Sequence, residues 1–208
     1  MSTELVTYVS KDDIAIITLN RPEKLNALSV ELGEELRSAW QRFEAGDDRV
    51  AILALNSDRY LEFLFAVPWA GAVFVPVNTR LAPPEIAYWL NDSGSEFLFV
   101  DDTFVPMLEA LDGKMASVRQ VVYLGDDAAP NGLHDYESLI EGQPPIPDAG
   151  RRGDDLAGLF YTGGTTGVSK GVMMSQTNLV MNALNVTPIF GIDRWTNWLH
   201  AAPMFHMA

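Results

Sequence analysis

The chain has 208 residues, with 28 acidic against 14 basic side chains for a formal charge of −14, and 48% of its residues are hydrophobic. Such a balance suits one good-sized globular domain or two small ones. It excludes nucleic acid and anionic lipid as electrostatic partners, so any polyphosphate has to be held by local donors. There is no cysteine, which removes disulfides and thiolate metal sites, and of the three histidines, His134, His200 and His206, only the last two stand close enough in sequence to share a site.

Met1–Asp13 has neither the basic nor the apolar region of a signal peptide. The runs LVTYV and IAIITL, parted by the polar SKDD, predict a β-hairpin. After the loop RPEKLNALS, the residues Leu32, Leu36, Trp40 and Phe43 make one apolar helical face, with Ser29 as N-cap and Gly46 as terminator. RVAILAL reads as a short buried strand. The stretch from Phe63 to Val77 runs about fifteen residues without a charge, short of the ~20 that span a bilayer. It predicts a buried helix, kinked or ended near Pro68, then the buried strand VFVPV, in a cytoplasmic protein with no transmembrane segment.

Helix PPEIAYWLNDSG, strand FLFV, short helix FVPMLEALDG and strand RQVVYLG continue the alternation. A turn-rich segment from Gln143 to Asp155 reads as a surface loop, and the next strand ends at Leu159, Phe160 and Tyr161. No internal repeat is present. The expectation is an α/β fold: an incomplete doubly wound, mostly parallel sheet with helices on both faces, preceded by a β-hairpin and helix.

Strand LFY opens into TGGTTGVSKG, which packs glycines, threonines, a serine and a lysine into Thr162–Gly171. Glycines let backbone N–H groups approach a phosphate; the hydroxyls of Thr162, Thr165, Thr166 and Ser169 add donors, and Lys170 adds a compact charge. Gly163, Gly164 and Gly167 complete the candidate grip. Ser169 stands before the lysine and Gly171 after it, where a Walker loop needs Gly and Ser or Thr. This is a different phosphate loop. The alternative is a flexible Gly/Thr surface loop.

TGGTTGVSKGV resembles the signature of the AMP-forming acyl-CoA synthetases, usually written T-S-G-T-T-G-x-P-K-G, with Gly163 in place of the serine and Ser169 in place of the proline. The likeness extends over DRVAILALNSDRYLEFLFAVPWAGAVFVPVNTRLAPPEIAYWLNDSGSEFLFVDD and HAAPMFH, from about Asp48 to Ala208. It implies a ligase in which a carboxylate attacks the α-phosphate of ATP, pyrophosphate leaves, and the thiol of CoA then displaces AMP. It implies ATP with Mg²⁺ and CoA, a small-molecule carboxylate as substrate, and an acyl-pocket role for Phe205 and His206; His200 is read as structural. In that family the adenine and ribose contacts, the Mg²⁺-binding acid and a C-terminal domain with the catalytic lysine lie further along.

The expectation is therefore a partial ligase without full activity, no assignable catalytic residue, and exposed strands around Leu159 and Leu199. Three or four charge-assisted hydrogen bonds supply roughly 5–12 kcal/mol gross, against an association cost of ~4–15 kcal/mol, so ATP binding near millimolar or weaker is expected.

The opening differs. ITLNRPEKLNALS and its surroundings resemble the start of the crotonases, the enoyl-CoA hydratases and isomerases, whose corresponding loop, Lys24, Leu25, Asn26 and Ala27 here, lies against CoA. The groups that perform crotonase chemistry come later in that family. Two domains result: 1–47, a crotonase-like hairpin and helix, and 48–208, part of the ligase. A non-catalytic nucleotide- or CoA-binding module is the alternative function, and a crotonase activity the third. The acyl substrate and the oligomeric state stay open.

Overall fold

A computed structural model describes residues 6–11, 14–19, 48–163 and 168–206. The chain divides into two compact units, Met1–Asp47 and Asp48–Ala208. In the first, β1 (Val6–Lys11) pairs antiparallel with β2 (Ile14–Leu19), in register from Val6 opposite Leu19 to Lys11 opposite Ile14. This is the hairpin that the two β-branched runs predict. The helix expected after Ser29 and the loop Lys24–Ala27 lie outside the described residues.

The second unit is built on a seven-stranded sheet. In chain order its elements are β3 (Arg49–Leu53), α1 (Asp58–Trp69), β4 (Val73–Pro76), α2 (Pro83–Ser93), β5 (Phe97–Val100), α3 (Met107–Leu111), β6 (Gln120–Tyr123), β7 (His134–Asp135), α4 (Tyr136–Ile140), β8 (Leu156–Thr162), β9 (Lys170–Ser175) and α5 (Gln176–Ile189). The strands lie in the order β7-β6-β5-β3-β4-β8-β9. All neighbours are parallel except β8 and β9, which are antiparallel. The expected α/β fold is present, with helices on both faces.

β3 reads as an unbroken apolar run because it is central and covered on both sides. Ala51 and Leu53 face a core shared with Ile86 and Leu90 of α2 and Leu111 of α3, whereas Val50 and Ile52 face Tyr60, Phe63 and Val67 of α1. Each fully buried aliphatic side chain in these layers contributes ~1.5–3 kcal/mol. The two faces follow from right-handed crossovers, since β4 and β5 flank β3 on opposite sides.

Local chemistry sets the helix ends. Ser57 caps α1 by accepting from the Tyr60 amide at 3.1 Å, and Pro68 stands in its last turn. The helix is half-buried rather than buried throughout as expected: Phe65 is 72% exposed and Trp69 51%. Only one stripe of α1 meets the sheet, so its apolar outer residues face solvent. Prolines begin α2, and Gly94, at φ 67°, ends it in the left-handed conformation that glycine adopts without strain.

The expectation of exposed strands around Leu159 and Leu199 is corrected. β8 is seated between β4 and β9, leaving Leu159 8% and Ala157 0% exposed. Leu199 is exposed, but residues 197–200 form no strand. Exposed apolar surface lies instead on α5 and beyond it, at Val180, Met181, Leu184, Phe190, Trp195 and Trp198. The stretch from Gly171 to Ile192 contains no Asp, Glu, Lys, Arg or His. Among the described residues no helix is long and apolar enough to cross a membrane.

Candidate phosphate-binding site at the carboxyl edge of the sheet

The chain leaves β3 towards the face carrying α1, while it leaves β4 and β5 towards the face carrying α2 and α3. Adjacent exits in opposite directions open a crevice at the carboxyl end of the strands, where open α/β sheets bind ligands. Asn56 follows β3 there, Asn78 follows β4, Asp101 follows β5, and the glycine-rich loop follows β8. Asp101 ties two exits together by accepting from the Leu55 amide at 2.7 Å and the Thr103 amide at 3.0 Å.

The loop is the tip of a hairpin. Thr162 pairs with Lys170, and Tyr161 with Gly171, across the β8–β9 ladder. Both Thr162 and Lys170 are exposed, Gly163 has open space where a side chain would stand, and Ser169 is half-buried. Gly164, Thr165, Thr166 and Gly167 lie outside the described residues. A strand follows the loop, so no helix N-terminus backs it; a bound anion would be met by loop amides, hydroxyls and the Lys170 ammonium. That donor set fits a polyphosphate chemically.

α2 supports the base of the loop with residues that sequence reasoning missed. The Tyr161 ring stacks on Trp89 at 4.7 Å, and its hydroxyl donates to Asp92 at 2.7 Å. Burial, reinforced by that hydrogen bond, pushes the Tyr161 phenol well above its ordinary value, so it stays a donor. The Tyr88 hydroxyl donates to the Ser169 carbonyl at 3.2 Å. Burial and the charge of Asp92 raise this phenol as well. A Cβ at Gly171 would come within 3.2 Å of the Tyr161 ring, a tight approach. Tyr88 and Asp92 stand one helical turn apart on α2, which puts both on one face but carries no sign of the loop they meet.

The 200–206 segment reaches the same edge. The Asn56 side chain donates to the Ala202 carbonyl at 2.7 Å and accepts from the Met204 amide at 2.8 Å. Met204 packs on the core of the α1 face. Phe205 is half-buried and His206 exposed, their rings 6.3 Å apart, and His200 is exposed. The structure thus brings the base of the loop and the Phe205–His206 pair to one edge of one sheet. Lys24–Ala27 are not among the described residues.

Comparison with known proteins is consistent across sequence and fold. The long-chain-fatty-acid–CoA ligase of Thermus thermophilus is 39% identical over 77% of this chain and 29% of its own length. The 4-hydroxybutyrate–CoA ligase 2 of Metallosphaera sedula is 33% identical over 78% of this chain and 31% of its own. The crystal structure of ATP-bound MatB from Rhodopseudomonas palustris superimposes with a TM-score of 0.64 at 30% identity, covering 77% of this chain and 31% of that one. The chain thus spans about a third of the length of the curated relatives it matches. The sequence pattern of the AMP-binding enzymes matches residues 30–208. Because that match runs through the sheet and its helices as well as the loop, the chain belongs to the AMP-binding enzyme family.

Proposed function

We propose that residues 48–208 supply the phosphate loop and part of the acyl pocket of a carboxylic acid–CoA ligase working through an acyl-adenylate. The observation that carries this is the loop itself, held at the carboxyl edge of the sheet by the Thr162–Lys170 pair. In this reading a carboxylate oxygen attacks the α-phosphorus of ATP and pyrophosphate departs with the bond electrons. The CoA thiol then displaces AMP. Thr162, Ser169 and the amides of the loop, including those of Gly163, Gly164, Thr165, Thr166 and Gly167, hold the β- and γ-phosphate oxygens. Lys170 offsets the charge that builds on the leaving pyrophosphate. Mg²⁺ would accompany the nucleotide's phosphates. Phe205 and His206 line the acyl side of the crevice.

The first 47 residues are read as a crotonase-like segment whose loop, Lys24–Ala27, is suited to contact CoA. The family match begins at residue 30, so ligase likeness already enters the helix expected in this segment.

The test is an amide NMR titration of the 208-residue chain with MgATP. Shifts confined to residues 162–171 are expected, with an apparent Kd near millimolar or weaker. Lys170→Ala removes a charge-assisted contact worth ~1.5–3 kcal/mol, so its shifts should vanish at the same MgATP concentration. Shifts centred elsewhere, or unchanged in Lys170→Ala, overturn the assignment.

A further inference from the structure

We infer that Tyr88 is a positioning residue for the phosphate loop, fixing the peptide that presents Lys170 in place of the rigidity a proline would give. The inference rests on the reading of the loop as a phosphate grip. Ser169 immediately precedes Lys170, at the position where the resembled signature has proline. Proline fixes its own φ and limits the freedom of the chain before it; serine does neither. In this chain the Ser169 carbonyl instead accepts the Tyr88 hydroxyl at 3.2 Å, so the peptide linking Ser169 to Lys170 is tied to α2.

The tie has a rigid anchor. α2 is sheathed in core at Ile86, Trp89 and Leu90 and ended by the left-handed Gly94. One turn beyond Tyr88, Asp92 accepts from Tyr161, the residue before Thr162 on the opposite limb of the hairpin. Trp89, between them in sequence, stacks on the same Tyr161 ring. Tyr88 therefore holds the lysine limb while Trp89 and Asp92 hold the threonine limb, and α2 sets the spacing between the two ends of the loop. Tyr161 is half-buried and fixed by two contacts. Tyr88 is 36% exposed and has a single bond to the loop. The lysine limb is thus the adjustable one, and a lost hydroxyl at Tyr88 frees it without opening the core.

Tyr88→Phe keeps the ring and deletes the hydroxyl, and with it the contact to Asp92 as well as the bond to Ser169, so rescue by Ser169→Pro is what isolates the Ser169 tie. In the nucleotide-free full chain, ¹⁵N relaxation should show lower order at the Lys170 and Gly171 amides, with α2 and β8 unchanged. MgATP binding should weaken about two- to tenfold, the range of a single hydrogen bond. Adding Ser169→Pro to Tyr88→Phe should restore the order at Lys170 and most of the affinity, whereas Ser169→Pro alone should change either little. Unchanged order at Lys170 in Tyr88→Phe, or no rescue by Ser169→Pro, overturns the inference. Loss of order on Tyr88→Phe with no MgATP response in any variant would leave the anchor standing and sink the phosphate reading instead. An unchanged thermal midpoint confirms that Tyr88→Phe has not loosened the fold.

Discussion

Replacing Gly158 with alanine tests how the loop-bearing strand is joined to the sheet. β8 meets β4 through the pairing of Gly158 with Phe74. A Cβ on Gly158 would collide with Cε2 of the Phe74 ring and stand 2.7 Å from Cζ and 2.8 Å from Cδ2. The ring has little room to retreat. It is 3% exposed and meets Phe160 edge-on at 5.6 Å. Overpacking of this kind costs ~1–3 kcal/mol, and with two aromatic rings fixed against each other the upper part of that range applies, about 2–3 kcal/mol. With a urea dependence of ~2–3 kcal/mol/M, the unfolding midpoint should fall by about 1 M. Adding Phe74→Leu to Gly158→Ala should recover about 1 kcal/mol or more as coupling between neighbours. A midpoint within about 0.2 M of the parent, or no coupling between the two positions, would refute the packing argument.

Asn56→Ala should release the 202–204 segment, with a loss of about 1–2 kcal/mol from its two hydrogen bonds; faster hydrogen exchange at the Met204 amide, with the β3 amides unaffected, is the expected readout. Alkaline stability should follow the tyrosines. The hydrogen bond to Asp102, with burial, pushes the Tyr123 phenol up to about 12, and Tyr161 and Tyr136 are raised in the same direction. A raised folded-state value means that stability is full below pH 10 and is lost as pH climbs through the folded value, because the unfolded chain ionises first. Urea midpoints should therefore hold to about pH 9 and decline between about pH 10 and 12, less steeply in Tyr123→Phe; a flat profile to pH 11.5 would contradict the assignment.

The central strands were readable because burial on both faces writes itself as unbroken apolar runs, as at Val50–Leu53 and Val73–Val75. α2 was readable because prolines mark its start and Gly94 its end. β9 was not, since Lys170–Ser175 begins inside a glycine-rich run that reads as loop and pairs at the sheet edge without a buried face. α5 escaped for a related reason: none of its residues is fully buried and only Leu179 packs against a core, so its sequence carries no clear apolar stripe. At the site, Thr162, Ser169 and Lys170 were legible as donors and a charge because their chemistry is local. Tyr88, Trp89 and Asp92 were not, because the fold alone brings residues some seventy to eighty positions away beneath the loop.

The hairpin setting of the loop constrains its length more tightly than its composition. A deletion that slipped β9 by one position against β8 would turn each of its side chains to the opposite face of the sheet. Val172 would then take the place of Gly171 opposite Tyr161, where even a bare Cβ is already crowded. A change of loop length is therefore harmless only where the loop, and not β9, takes it up.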